Sequence, residues 1–245
     1  MTKQKTQIKF DLSNLLTEET IVQHNSETEG RHYSTPNGGY YPSVTSIVGI
    51  LNEKHIKEWI KRVGEDEANR IKTEASEHGT RWHDLMEKSL REGVQTIPFG
   101  KEFFAVYPMI INDVYPKISN IRAIEHRMWS DKVACAGTVD LIADYDGVLS
   151  IIDWKTASHE KKPSDVMSYW CQTAAYAIML KERYGLDAKQ LVLVINEADQ
   201  TYSVYKQPTE YWIRQFERLR AFYRDKRHEW RNEGVYHIRR SLCLG

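Results

Sequence analysis

A tight turn at Asp146-Gly147 is the feature that most constrains the fold of this 245-residue chain. It joins two strand-like runs, 133–145 and 148–155, which are rich in β-branched and aromatic residues. A two-residue hairpin turn needs positive φ at both positions, and an Asp-Gly pair is well suited to supply it. The sequence therefore predicts a hairpin in which Tyr145 pairs with Val148, and this pairing sets the register of both strands.

In this register Asp140 lies directly opposite Asp153, so both side chains point to one face with their Cβ atoms about 5 Å apart. Lys155 points to the same face, whereas Trp154 points to the other face and into packing. Two ionised carboxylates at this distance repel each other unless a proton or a cation lies between them. A hard divalent cation such as Mg²⁺ fits such oxygen ligands, and a neighbouring lysine could orient a water molecule or stabilise negative charge. The arrangement suits phosphodiester hydrolysis.

A simpler interpretation of the same residues is a solvated strand face that carries an ion pair between Lys155 and an aspartate. The tripeptide Asp-x-Lys is common, so only the register match with Asp140 favours a metal site. A slip of one residue would move Asp140 to the opposite face and remove the site.

The remaining patterns place helices first and strands later. They predict an α/β fold with a central mixed β-sheet flanked by helices and an N-terminal helical region. The predicted hairpin at 31–42 precedes helices opening at Ser43, two helices within 54–92 with Gly79 near the start of the second, and a helix at 101–118. Further strands are predicted at 121–130, 190–196 and 201–206, with helices at 164–184 and 209–233.

The same order predicts the domain organisation. Residues 1–30 read as a polar, partly ordered arm, and residues 31–245 as a single domain. Its expected parts are a helical part at 43–118, a sheet core at 121–206 and a C-terminal helix at 209–233.

Two helical segments place polar side chains at regular spacing. Gly79, His83 and Glu87 follow each other at intervals of four and share one helix face, so His83 and Glu87 could reach a metal or a water. An ordinary surface pair of histidine and glutamate is the simpler alternative. Gln172 and Tyr176 are also four residues apart, and Gln172 lies among apolar residues where its amide needs a hydrogen-bond partner, either in a site or in the core.

Glu125, within a strand-like run, could add a further carboxylate.

Charge and cysteine content exclude some classes of protein. The formal net charge is zero, so any nucleic-acid surface must be local, and the stretch 214–240, with nine basic and four acidic residues, is either such a surface or a solvated helix face. Three widely spaced cysteines favour neither a disulfide framework nor a four-thiolate iron–sulfur cluster. No apolar run approaches a membrane span, and the polar N-terminus is unlike a secretion signal, so we expect a cytoplasmic location.

Taken together, four short motifs resemble the PD-(D/E)XK nuclease superfamily, and in particular its RecB-like branch. In chain order they are Gly79-Thr-Arg-Trp-His83, Gly137-Thr-Val-Asp140, Asp153-Trp-Lys-Thr156 and Gln172-Thr-Ala-Ala-Tyr176. Each motif is weak by itself, but their order, spacing and residue types all agree with the family. Tyr41-Pro-Ser-Val-Thr-Ser46 adds a narrower likeness to mitochondrial and phage exonucleases. The resemblance runs from about residue 40 to 206.

The resemblance implies a restriction-endonuclease-like core, Mg²⁺ or Mn²⁺ as the cofactor, and DNA as the partner. It implies metal binding by Asp140, Asp153, His83 and the backbone carbonyl of Trp154, and positioning of the attacking water by Lys155. Gln172 would organise the site and the substrate. We expect Glu87 and Tyr176 to belong to the same catalytic set. The phosphate contacts implied for DNA fall on Ser43, Thr45 and Ser46, and we add Arg81 to them.

These expectations favour a monomeric Mg²⁺-dependent exonuclease on single-stranded DNA or strand ends. The preference for exonuclease action comes from the resemblance alone. A structure-specific or restriction-type endonuclease of the same superfamily is the enzyme alternative. A catalytically inactive DNA-binding subunit and, if the Asp140–Asp153 register is wrong, a metalloprotein with another reaction remain as alternatives from other classes.

Overall fold

The computed structural model of the chain describes residues 8–26, 30–93, 100–197 and 200–228. The last part of the predicted C-terminal helix and every residue of the basic stretch 214–240 that follows residue 228 lie outside these ranges.

A five-stranded mixed sheet forms the centre of the fold, as the sequence predicts. Its described strands lie in chain order, and neighbouring strands are antiparallel except Val148–Thr156 and Gln190–Asn196, which are parallel because a helix crosses over between them. The strands are β4 (Ile118–Ser130), β5 (Cys135–Tyr145), β6 (Val148–Thr156), β7 (Gln190–Asn196) and β8 (Tyr202–Pro208).

The hairpin of β5 and β6 has the predicted turn and register. Asp146 and Gly147 both have positive φ, at 51° and 79°, as the two-residue turn requires. Tyr145 pairs with Val148, and the ladder continues in the same register to the pair Leu141–Ile152.

Six α-helices are present in the described residues. They are α1 (Val44–Gly49), α2 (Glu53–Val63), α3 (Glu65–Glu92), α4 (Val106–Asp113), α5 (Met167–Tyr184) and α6 (Thr209–His228). The prediction that Gly79 lies near a helix start is wrong, because α3 runs through it from Glu65. One glycine inside a helix costs only about 1 kcal/mol, which is too little to break it.

The predicted single helix at 101–118 is also wrong. The segment forms a 3₁₀ turn at Lys101–Phe103, then α4, then a second 3₁₀ turn at Tyr115–Lys117, and β4 already begins at Ile118. Pro116 lacks a backbone N–H and cannot continue an α-helix.

A small antiparallel sheet precedes the helices. It consists of β1 (Val22–Ser26), β2 (Gly30–Ser34) and β3 (Tyr40–Pro42), with β2 in the middle. The predicted hairpin at 31–42 corresponds to β2 and β3. β1 lies within residues 1–30, the segment predicted as a polar, partly ordered arm. Its residues are mostly polar and have no apolar pattern, so the sequence did not predict this strand, which pairs with β2.

The two faces of the large sheet are covered by different helices. One core contains α1, α5 and the apolar face of α6, and the other contains the second half of α3 and α4. Trp154 is 1% exposed and packs in the second core, opposite to the face of Asp153 and Lys155, as predicted. The sheet thereby presents the Asp-x-Lys side chains towards α5.

Candidate active site

The strands β5 and β6 separate at the two aspartates. Their ladder ends at Leu141–Ile152, one position before Asp140 would pair with Asp153. Beyond this point β5 continues along β4 and β6 continues along β7, so a gap opens between them. The Asp140 carboxylate bridges the gap by accepting a hydrogen bond through Oδ2 from the Trp154 backbone N–H at 2.8 Å.

The buried Asp153 and Gln172 and the half-buried Lys155 form one group on the α5 side of this gap. The Lys155 ammonium donates to Asp153 Oδ1 at 2.8 Å and lies 2.7 Å from Oδ2. The Gln172 amide donates to Asp153 Oδ1 at 3.1 Å, which supplies the partner that its buried position demands. Asp153 is only 1% exposed, so these donors replace the water that burial removes.

His83, Glu125 and Asp140 form a second group. His83 Nδ1 lies 3.6 Å from Asp140 Oδ1 and 3.5 Å from Glu125 Oε1. One possible ligand atom from each of the three residues lies within 4.8 Å of the others. Glu125 thus belongs to the site more closely than its sequence context indicated. It comes from β4 opposite Asp140, since His126 pairs with Val139 and Ile124 with Leu141.

The backbone at Glu125 is strained. Its φ is +47°, a left-handed conformation that glutamate rarely adopts, and the pairing with β5 skips this residue while continuing on both sides. Such conformations cost roughly 1–3 kcal/mol and concentrate at functional sites. The strain accompanies the placement of the Glu125 carboxylate beside His83.

The donor set fits a divalent cation. Carboxylate oxygens from Asp140 and Glu125 are ligands that Mg²⁺ and Mn²⁺ accept, and an imidazole nitrogen suits Mn²⁺ better than Mg²⁺. Asp153 lies across the gap from Asp140, at the position that follows Leu141–Ile152 in the hairpin register. The N–H and C=O of one strand residue point to the same side, so the Trp154 carbonyl faces the gap together with its N–H.

Burial and neighbouring charges shift the pKa values of the site. Burial raises the pKa of Asp153, Lys155 opposes this rise and Asp140 adds to it. Burial also raises the pKa of Asp140, against the opposing effects of His83 and Lys155. For His83, burial lowers the pKa, but Asp140 and Glu125 outweigh this effect and raise it to about 9. A proton on His83 therefore neutralises the same carboxylates that a metal ion would neutralise.

This competition predicts a pH dependence of stability. The His83 pKa is raised above its ordinary 6.5, so protonated His83 contributes to the free energy of unfolding. This contribution is complete below pH 6.5 and is lost as the pH rises to about 9. In EDTA, the melting temperature of the wild type should fall across this window, and the His83→Gln variant should show a flatter profile. Mg²⁺ should restore stability most at the alkaline end. Equal slopes for both proteins in thermal denaturation would contradict the prediction.

Glu87 does not join either group in the described residues, whereas the Tyr176 hydroxyl contacts Gln172. The Glu87 carboxylate lies on the predicted face of α3 but accepts a hydrogen bond from Arg91 Nε at 2.8 Å, so the structure does not bring it to His83. Tyr176 lies under β5, 2% exposed, and burial raises its pKa well above 10. The hydroxyl also lies near enough to Asp140 and Asp153 for their charges to add to this rise of its pKa. Participation of these two residues in catalysis stays a prediction.

Tyr176 packs closely against Gly137, three residues before Asp140. A Cβ atom added at Gly137 would lie 2.9 Å from the Tyr176 hydroxyl and 3.1 Å from its ring. We expect Gly137→Ala to lower the free energy of unfolding by about 1–3 kcal/mol, because a buried ring must move. Chemical denaturation measures this.

Gly79→Ala is the matched control, since its Cβ would meet Thr156 Oγ1 at an ordinary 3.7 Å. Inside α3, alanine should raise stability by up to about 1 kcal/mol. Equal effects at Gly79 and Gly137 would contradict the packing argument.

The residues expected to contact DNA occupy different environments. Ser43 is buried and caps α1, since its hydroxyl accepts a hydrogen bond from the Ser46 N–H at 3.0 Å and contacts the hydroxyls of Thr45 and Ser46. Thr45 and Arg81 are exposed, and Ser46 is half-buried. Their contacts with DNA stay predictions.

Comparison with known proteins gives the following matches. The family model of the PD-(D/E)XK nuclease superfamily matches residues 50–244. Human mitochondrial genome maintenance exonuclease 1 is 26% identical over 130 residues, which are 49% of this chain and 38% of the human protein. The mouse protein of the same name is 26% identical over 129 residues, with the same coverage. The chain thus aligns with well under half of the length of these curated relatives.

A solved structure of a candidate exonuclease from Eubacterium rectale is 13% identical, with a TM-score of 0.37, and the alignment covers 81% of this chain and 68% of that one. Among the described helices, none has both the length and the apolar character that a membrane crossing requires.

Proposed function

Because the chain belongs to the PD-(D/E)XK nuclease superfamily, we propose that it is a metal-dependent deoxyribonuclease, with Mg²⁺ as its main cofactor and exonuclease action on single-stranded DNA or strand ends. Mn²⁺ should also support activity, because His83 offers a nitrogen ligand that Mn²⁺ accepts.

The observation that carries this proposal is the meeting of two groups at one gap in the sheet. Asp140 belongs to the group with His83 and Glu125, and it also bonds to the backbone next to Asp153 and Lys155. Carboxylates that can bind a cation therefore lie beside the half-buried ammonium group of Lys155, and phosphodiester hydrolysis uses this combination.

Each residue has a role that follows from its contacts. Asp140, Glu125, His83 and Asp153 would hold the cation, which when bound supplies positive charge to the phosphate. Lys155 keeps an N–H donor available near Asp153 and can orient the attacking water or stabilise the charge of the phosphate oxygens. Gln172 fixes the orientation of the Asp153 carboxylate through its amide.

The preference for exonuclease action is supported by the names of the curated relatives, which are exonucleases. The zero net charge supports a narrow local groove rather than a broad basic surface.

End-labelled DNA tests the proposal directly. Linear and closed circular substrates, single- and double-stranded, are incubated with Mg²⁺, with Mn²⁺ or with EDTA. We expect the linear single strand to be degraded from an end only with a divalent cation. Cleavage of the closed circle would replace the exonuclease with the endonuclease alternative. DNA binding without cleavage under any condition would favour an inactive subunit.

A further inference from the structure

An aromatic ring that belongs to none of the predicted motifs lies over the lysine of the candidate site. The Lys155 ammonium is 5.3 Å from the centroid of the Tyr169 ring. Tyr169 is half-buried near the beginning of α5, three residues before Gln172. At this spacing the two side chains lie on one face of the helix.

One face of α5 therefore contacts both members of the ion pair between Asp153 and Lys155. Gln172 donates to the carboxylate of Asp153, while Tyr169 offers its ring to the ammonium of Lys155. Tyr176, a turn beyond Gln172 on the same face, packs under Gly137 of β5. The helix thus also packs against the sheet one turn beyond these two contacts.

The contacts of the Lys155 ammonium restrict the directions in which its N–H groups can point. Both Asp153 oxygens lie within 2.8 Å of Nζ on one side, and the Tyr169 ring covers another side. The negative face of an aromatic ring attracts an ammonium group, and this attraction strengthens where water is excluded. A lysine side chain is otherwise flexible, so two fixed neighbours narrow the positions of its remaining N–H donor.

We propose that Tyr169 is a positioning residue of the nuclease site. Its ring holds the Lys155 ammonium against Asp153, so that the remaining N–H of Lys155 points into the gap between β5 and β6, where the phosphate would lie. This inference rests on the proposed function. Burial raises the pKa of the Tyr169 hydroxyl, so the group remains a neutral phenol and does not compete with Asp153 for the ammonium.

The test compares Tyr169→Phe, which keeps the ring, with Tyr169→Leu, which removes it. Single-turnover cleavage of linear single-stranded DNA is measured at saturating Mg²⁺, and DNA affinity is measured separately in EDTA. We expect Tyr169→Phe to cleave within about twofold of the wild type and Tyr169→Leu about tenfold more slowly, with DNA affinity unchanged in both. Tyr202→Leu, a tyrosine near the other core, is the matched control and should cleave like the wild type.

Folding defects are separated from loss of positioning by a second replacement. Phenylalanine carrying an increasing number of fluorine atoms keeps the shape of the ring but weakens its negative face. The cleavage rate should fall stepwise with fluorine number while the melting temperature stays constant. In the Lys155→Ala background, Tyr169→Leu should cause no further loss, because the ring then has no ammonium to hold.

Three results would overturn the inference while the wild type remains an active nuclease. These are a normal rate for Tyr169→Leu, an equal loss for Tyr169→Phe and Tyr169→Leu, and a loss confined to DNA affinity. A wild type without Mg²⁺-dependent cleavage would instead overturn the proposed function itself, so the two failures are distinguishable.

Discussion

Lys155→Ala is expected to slow DNA cleavage by about a thousandfold while DNA binding is retained. The ammonium is the one described cation in contact with both oxygens of Asp153, and its side chain is only 16% exposed. No neighbouring lysine is described that could replace it at this position. Cleavage is measured in single turnover at saturating Mg²⁺, and DNA binding by fluorescence anisotropy in EDTA.

The variant should also separate catalysis from folding. Without Lys155, Asp153 keeps the Gln172 amide but loses its positive neighbour, so the variant should melt at a lower temperature in EDTA and regain much of the difference in Mg²⁺. Lys206→Ala is the matched control, because this exposed lysine pairs with Asp146 at the turn of the same sheet, away from the site. If Lys155→Ala kept more than about a tenth of the wild-type rate, its assigned role would be wrong.

Asp140→Asn should weaken Mg²⁺ binding by about a hundredfold or more and abolish cleavage with it, because the neutral amide is a poor ligand for a hard cation. The asparagine oxygen can still accept the Trp154 N–H, so the gap between β5 and β6 should keep its shape. Its amide nitrogen would then face His83 and Glu125, where a cation needs an oxygen. Calorimetric titration with Mg²⁺ and with Mn²⁺ measures the loss.

The control for this substitution is Asp144→Asn, four residues further along β5. The Asp144 carboxylate accepts a hydrogen bond from Asn120 and lies 3.7 Å from Arg122, so it has partners outside the candidate site. We expect its Mg²⁺ titration to match that of the wild type. An unchanged titration for Asp140→Asn would instead remove Asp140 from the metal ligands.

The central hairpin could be predicted because its turn residues determine its geometry. The Asp146-Gly147 pair specifies a two-residue turn, and the register from this turn places Asp140 at the level of Asp153. The opening of the ladder at this level could not be predicted, because it depends on β5 following β4 while β6 follows β7. The sequence predicts two directly paired carboxylates, whereas the structure has a gap between the two strands at this level.

The position of Glu125 opposite Asp140 could not be predicted from the sequence for a similar reason. Four residues, 131–134, separate the paired ends of β4 and β5, and they contain no glycine or other sharp turn signal. The register of this hairpin, and hence the residue opposite Asp140, was therefore undetermined. The left-handed backbone at Glu125 is equally invisible in the sequence, because glutamate has no preference for it.

Helix boundaries failed where local preferences were weak. Gly79 indicated a boundary, yet α3 passes through it because packing of Trp82, Leu85 and Met86 outweighs the cost of one glycine. Gln172, in contrast, was a reliable guide. A buried amide among apolar residues requires a partner, and the partner is Asp153.

The left-handed backbone at Glu125 has a consequence for anyone who would evolve this chain in the laboratory. A selection for heat resistance alone should favour glycine at this position if relief of the backbone strain outweighs loss of the Glu125 contact with His83, because glycine adopts the same φ at no steric cost. The selected variants would be more stable and would not cleave DNA. Ala134 has a similar φ of +45° in the turn that precedes β5, outside the candidate site. Replacement of Ala134 by glycine should therefore stabilise the protein without loss of cleavage activity.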